Sequence, residues 1–269
     1  RIHKTEFSCF FPRLFSHTLG ETNSLSLEYY PFDNLYQFQG EWGDVAEKLN
    51  CVLYFLHSAK HPSLSDAAII HYKREMYINK TLHYQRELVK RFDFFNSLES
   101  KSKISINGEE VRTFGAIWPE VEDSIKCTLL DSANLSVIHG DLCFSNILFY
   151  KNTIKFIDPR GSFGMRGIYG DPLYDIAKLL HSFSGCYEAI IYDKFSLENN
   201  NSQINFHFKD KSLKEAAKVF SRLERFNNPK AKLIEGLIFI GMCSRHYDSP
   251  KRQKVMYATG LKILNGLIK

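Results

Sequence analysis

Apolar positions recur at three- and four-residue steps over residues 41–60 and 66–97, the period of a helix with one buried stripe. Ser65-Asp66 offers the second of these an N-cap. The same period runs through 211–225, 229–245 and 250–267, the last opened by Ser249-Pro250. Asp171-Pro172 begins a further helix that ends near Gly185. Its aspartate can accept from the free N–H groups of the first turn, and proline suits that turn because it has no N–H to satisfy. Residues 115–130 read as a weaker helix. Alternation of period two marks strands at 25–30, closed by Pro31 and the turn Asp33-Asn34. It also marks 103–114, which carry Asn107-Gly108 as a hairpin signal. A short strand covers Ser136–Ile138. Ile147–Phe149 and Ile154–Ile157 form two strands joined by the turn Tyr150-Lys151-Asn152-Thr153. Residues 195–209, polar and rich in asparagine, read as a loop with a strand. The expected class is therefore α+β, with a small β element first and a mostly helical body around a central β-hairpin. No internal repeat interrupts this outline.

Composition changes the picture little. The chain has 269 residues, 44% hydrophobic and 24% charged, ordinary values for a globular protein with ample length for a sizeable core. Lys+Arg exceeds Asp+Glu by five, which fits an anionic ligand but no nucleic-acid patch. The densest basic run, Lys251-Arg252-Gln253-Lys254, reads as a solvated helix start. The six cysteines are scattered without C-x-x-C or metal-ligand spacing, so free thiols in a reducing cytoplasm are expected. The longest apolar run, near residues 233–243, is too short for a bilayer.

The chemistry concentrates in Val137–Gly161. Asn146 follows Asp141 by five residues, and the hairpin between them and Asp158 returns the second aspartate beside the asparagine. One amide oxygen and one carboxylate suit Mg²⁺, which keeps waters and binds through few protein ligands plus substrate phosphates. Asp141 is then left to accept a proton from an attacking hydroxyl. That is the part list of phosphoryl transfer.

His139-Gly140-Asp141-Leu142-Cys143-Phe144-Ser145-Asn146 resembles the H-G-D-x-x-x-x-N loop of aminoglycoside phosphotransferases and choline kinases, small-molecule relatives of the protein kinases. Ile157-Asp158-Pro159-Arg160-Gly161 and Gly170-Asp171-Pro172-Leu173-Tyr174-Asp175-Ile176-Ala177 look like the metal-aspartate and G-D-P-x-x-D-L-A segments that follow in that family. Leu27-Glu28-Tyr29-Tyr30-Pro31-Phe32 is similar to its inter-lobe hinge. The resemblance spans roughly residues 20–267 and implies a protein-kinase-like fold. Residues 1–30 would be the remnant of an N-lobe with its hinge strand, and 31–269 a helical C-lobe. It implies Mg²⁺ and ATP, with Asp141 as the catalytic carboxylate and Asn146 and Asp158 as metal ligands. Adenine would lie near Glu28 and Tyr30. His139, Asp171 and Asp175 would be structural supports. Within the family, the segments look most like kinase domains of bacterial capsule or surface-polysaccharide synthesis.

Arg160 and Arg166, just past the metal aspartate, with Lys80, are candidate contacts for a phosphate or carboxylate on a small alcohol acceptor, and His246 and Arg245, near a helix end, are candidates for bordering the same pocket. For each, a solvated charge is the competing reading. Glycines at 161, 164, 167 and 170 match no phosphate-loop pattern and read as a flexible activation-type segment. The glycine-rich hairpin, strand lysine and helix glutamate of the kinase N-lobe are not found in residues 1–24, where Lys4 and Glu6 sit too close together to serve. The expectation is a chain that continues upstream into the missing strands. A catalytically inactive binding or scaffold domain is the rival. A protein kinase is disfavoured because Gly140 replaces the arginine of H-R-D and no A-P-E segment follows.

Overall fold

The computed structural model describes residues 2, 5–18, 20, 24–130, 134–200 and 202–268; Lys4 of the Lys4–Glu6 pair lies outside them. The chain opens with a two-stranded antiparallel hairpin, β1 (Leu14–Thr18) and β2 (Ser24–Leu27). Then come α1 (Trp42–Ser58), α2 (Asp66–Arg74), α3 (Lys80–Arg91) and α4 (Asp93–Glu99). The hairpin β3 (Lys103–Ile106) and β4 (Glu109–Arg112) precedes α5 (Phe114–Thr128) and the short β5 (Ser136–Val137). The central hairpin is β6 (Ile147–Tyr150) with β7 (Thr153–Phe156). Two-residue strands β8 (Ser162–Phe163), β9 (Met165–Arg166) and β10 (Tyr169–Gly170) lead to α6 (Pro172–Phe183) and α7 (Tyr187–Ile191). The chain finishes with β11 (Phe195–Asn199), β12 (Gln203–Phe208), α8 (Ser212–Phe220), α9 (Pro229–Cys243) and α10 (Pro250–Leu267).

Local chemistry explains most of these boundaries. The side chains of Ser65, Asp171, Asn228 and Ser249 accept from the first-turn N–H groups of α2, α6, α9 and α10, and the last three helices carry proline in that turn. Asn107 and Gly108 both have positive φ, as the turn between β3 and β4 requires. The continuous period over 66–97 is nonetheless cut twice. Glu75–Asn79 form a π-helical turn, and Phe92 is extended, ending α3. Periodicity misses the first because a one-residue widening barely disturbs the apolar stripe, and the second because α4 resumes at Asp93 after a single extended residue.

The asparagine-rich stretch forms two strands, not one. Phe195 pairs with Phe208 and Leu197 with Phe206, and β12 runs parallel to β3 to close a four-stranded sheet in the order β11-β12-β3-β4. Residues 114–128 are a full helix because Phe114, Ile117, Val121 and Ile125 form one buried stripe. β1 escaped notice because its residues are almost all exposed and show no buried alternation.

Two cores flank α6. One joins Ile234, Phe239 and Leu237 of α9 to Met256, Tyr257 and Leu261 of α10, with Ile104, Ile106 and Ile204 of the sheet. The other joins Trp42, Leu49 and Leu53 of α1 to Leu142, Phe144, Ile147 and Phe156, with Phe7 and Phe11. Each such side chain contributes about 1.5–3 kcal/mol on burial. Tyr174 and Ala177 of α6 belong to the first core and Ile176 and Leu179 to the second, so the loop of Asp141 is held at their seam. No helix among the described residues is long and apolar enough to cross a membrane, and all six cysteines are free.

Candidate active site

The loop between β5 and β6 is held by buried polar groups. Asp175, fully buried on α6, accepts from the N–H groups of His139 (2.8 Å) and Gly140 (2.7 Å) and meets His57 Nε2 at 3.1 Å. His139 Nδ1 accepts from the Asp141 N–H at 3.2 Å, so the ring proton sits on Nε2 and is donated to the Ile157 carbonyl at 2.8 Å. Burial pushes the His139 pKa down, against the pull of Asp175, and the imidazole stays neutral. It is a brace between the loop and β7. Gly140 has φ of 81°, and a Cβ there would stand 2.9 Å from Arg160 Cβ, so this turn requires glycine. Arg160 is drawn in by its N–H, which donates to the His139 carbonyl at 2.9 Å.

Asp141 is pinned from the other side. Its Oδ1 lies 2.9 Å from the ammonium of buried Lys178, while the side chain keeps 45% of its surface accessible. Burial pushes this carboxyl up, but Lys178, and more weakly His139 and Arg160, leave it below the usual range. Burial alone would depress Lys178, and Asp141 holds it above its ordinary value. Asp141 is therefore a permanent carboxylate at neutral pH, with one oxygen committed and one open.

Asn146 and Asp158 come together as the hairpin requires. The Ile157 N–H donates to the Asn146 carbonyl at 3.0 Å, setting the next residue, Asp158, beside Asn146. The Asn146 amide nitrogen donates to the Asp141 carbonyl at 2.9 Å, which leaves its oxygen free. The Asp158 carboxylate is exposed, with no hydrogen bond or ion pair to another described residue, on a residue with φ of 55°. A left-handed non-glycine residue with an uncommitted charge is typical of a functional position. Among the described residues no group of three His, Cys, Asp or Glu side chains is placed to hold a metal ion. The donor set here, one amide oxygen and one carboxylate, fits a cation that completes its shell with water and substrate oxygens.

Asp171 caps α6 and is buried with Lys73 at 3.2 Å and the Tyr77 hydroxyl at 2.9 Å, a structural cluster that ties the π-helical turn to α6. In the segment after β2, the Glu28 N–H donates to the Arg13 carbonyl, and the Glu28 carboxylate accepts from Tyr30 OH at 2.7 Å. The Glu28 carbonyl and the Tyr30 N–H have no partner among the described residues. They are an acceptor and a donor two residues apart, the pattern that the edge of a purine can meet.

A cavity of about 370 Å³ opens beside Asp141. Lys80, Arg160, Arg245 and His246 line it together with residues that the sequence did not single out: Lys178, Tyr84 and Tyr187. The signal for Lys178 was present, since a lysine interrupts the apolar run of α6 four residues after Tyr174, on the same face. Arg166 is a correction. It is exposed on β9 and lines a separate depression with Ile2, Pro159 and Ser162, because the Gly161–Gly170 segment folds into short strands that carry it away. Those strands also correct the expectation of a loose segment: β10 pairs with β5.

No family model matches the sequence, and no curated protein sequence matches it. A solved structure of a glucosamine kinase aligns with 94% of this chain at a TM-score of 0.51 and 12% identity, and the chain spans 64% of that protein's length. At that identity the likeness shows the fold, a mixed α+β architecture of kinase-like type.

Proposed function

We propose that this chain is a phosphotransferase that moves the γ-phosphoryl group of ATP to a hydroxyl of a small molecule, a sugar or a related metabolite. The observation that carries the reading is Asp141: an ionised carboxylate, pinned by a buried lysine and still accessible, lining a partly open cavity. Its open oxygen is placed to accept a hydrogen bond from an acceptor hydroxyl and to take its proton as the O–P bond forms. Asn146 and Asp158 would hold Mg²⁺, which would neutralise charge on the phosphates. The Glu28 carbonyl and Tyr30 N–H would receive adenine. His139, Asp171 and Asp175 fix the loop so that Asp141 needs no rearrangement to act. The fold likeness to a glucosamine kinase supports the sugar class of acceptor. The reading keeps residues 1–30 as part of an N-lobe with its hinge and 31–269 as the C-lobe, and keeps capsule or surface-polysaccharide synthesis as the setting.

A binding domain without turnover is the second reading. One observation favours it: β1 and β2 contain no lysine to meet the α/β-phosphates. An ADP-release assay with Mg²⁺-ATP and a panel of sugars decides between them. Acceptor-dependent release in the native chain, lost together with Mg²⁺-dependent nucleotide binding in Asp158→Ala, supports the enzyme. Nucleotide binding without release under every acceptor supports the scaffold.

A further inference from the structure

The cavity beside Asp141 is lined by four basic side chains, Lys80, Arg160, Lys178 and Arg245, against a single carboxylate, Asp141 itself. That carboxylate is already committed to Lys178. Lys80, Arg160 and Arg245 form no ion pair with any described acidic group. The arginine at 160 instead donates to the Tyr174 hydroxyl at 3.0 Å, and Lys80 and Arg160 both lie 5.9 Å from the Tyr174 ring. These groups come from three separate parts of the fold: α3, the turn after β7, and the end of α9. Their convergence therefore does not follow from one helix having a basic face. The π-helical turn Glu75–Asn79 immediately precedes Lys80, and such turns recur at functional sites because they re-aim the residues that follow.

Crowding of like charge has a visible cost. Burial first, and then Arg160, Arg245 and Lys178, push the Lys80 pKa down to about 7, with Asp141 pulling weakly the other way. A cavity that brings Lys80, Arg160 and Arg245 together with no acidic partner among the described residues is arranged for an anion. The remaining walls, including Tyr77, Tyr84 and Tyr187 with Ile234 and Leu237, are aromatic and aliphatic, the lining that a sugar ring packs against.

Taking the phosphotransferase reading as its base, we infer that the acceptor carries its own phosphate or carboxylate, gripped by Arg160, Arg245 and Lys80, while its hydroxyl meets Asp141. Guanidinium groups hold such oxygens bidentately, and Lys80 adds a point charge. Asn146 and Asp158 do not line the cavity, so this anion is distinct from the nucleotide phosphates that the metal side would hold.

A matched charge series tests this: glucose 6-phosphate and glucuronate as the two anions, glucose as the neutral sugar and glucosamine as the cation. Binding is followed by calorimetry and turnover by ADP release. We expect both anions to bind at least tenfold tighter than glucose, with glucosamine weakest, and phosphate against carboxylate to show which anion is meant. Arg245→Ala and Lys80→Met should each bring the ratio of anion to glucose affinity close to one, with circular dichroism confirming that the variants fold. Glucose or glucosamine binding as tightly as the anions overturns the inference, as does an anion preference that survives both substitutions. The two readings fail separately. Anion-selective binding with no ADP release under any acceptor removes the kinase and leaves the anion site. Efficient turnover of glucose or glucosamine removes the anion site and leaves the kinase.

Discussion

Toward the tyrosines, Asp141 looks into walls built from the π-helical turn, α3, α6 and α9, where Tyr77, Lys178 and Ile234 are buried. Toward the hinge, the chain offers the thin hairpin β1–β2, whose Phe15 and Leu25 are each 62% exposed, and the exposed carboxylate of Asp158. An electrostatic contact is worth far more in a closed, dry place than in water. On the proposed function, the acceptor side would discriminate by charge with the groups it already has, and the nucleotide side would depend on a cation and on whatever covers the hairpin. Rigid positioning resides on one side of the carboxylate and adaptability on the other.

Asp141→Asn strikes the point where the two sides meet and should have the largest effect. Turnover should fall by about 10²–10⁴-fold, the span of a lost proton acceptor, while Mg²⁺-nucleotide affinity holds. Steady-state kinetics beside nucleotide calorimetry reads both, and turnover near that of the native chain would remove the assigned role.

Next comes the buried scaffold. Asp175→Ala leaves the N–H groups of His139 and Gly140 and the His57 ring without their acceptor in a dry interior. Each orphaned group costs about 1–3 kcal/mol, so unfolding by denaturant should show a loss of roughly 3 kcal/mol or more. A loss under about 1 kcal/mol would mean that the loop is held by apolar packing instead.

The third effect is a pH dependence on the closed side. Lys80 faces Arg160, Arg245, Lys178, His246 and Asp141, with the phenols of Tyr77, Tyr84, Tyr174 and Tyr187 around it. Its free-state pKa of about 7 lies below the ordinary lysine value, and an anion beside it favours the charged form and raises it. Affinity for glucuronate, whose own charge is constant there, should fall as pH rises from 7 to 9, by at most tenfold per unit. Binding above pH 7 should take up a proton, seen by calorimetry in buffers of different ionisation enthalpy. Lys80→Met should flatten the profile.

The smallest effect belongs to the open side. Leu25→Ser on β2 removes a side chain that packs against little, so stability should change by no more than about 0.5 kcal/mol. A clear loss in thermal unfolding would show that the hairpin is more tightly packed than its exposure indicates.

What the sequence disclosed follows the same division. The placement of Asp141, Asn146 and Asp158 around one hairpin was legible because a four-residue turn between two short strands is a local signal. The caps at Ser65, Asp171 and Ser249 were legible because capping is local. The cation cluster was half legible. Lys80, Arg160, Arg245 and His246 could be named, but Lys178 was passed over although it interrupts the apolar run of α6, because where that face points depends on how α6 packs. Arg166 was misplaced for the same reason, since nearness in sequence to Asp158 says nothing of where β8 and β9 carry it. Strand β12 was blurred because its partner β3 lies far upstream, and the pairing stabilises it more than its own composition does.

That pairing also sets an order of events during synthesis. Ser105 and Ile106 meet Gln203 and Ile204 in parallel register, so the four-stranded sheet cannot close until residues 195–208 have left the ribosome. Until then the β3–β4 hairpin waits with one edge unpaired, and Ile104 and Ile106 lack the Ile204 and α10 surfaces that later bury them. Closing so long a loop is slow, and an open strand edge invites pairing with another nascent chain. The polar, asparagine-rich tip between β11 and β12 keeps the late-arriving hairpin soluble while it searches for β3. The second core, of α1, the central hairpin and α6, draws on residues that have all emerged earlier, apart from those of α8, Phe226 and Ala231. In a growing chain, the seat of Asp141 would be assembled before the far wall of its cavity.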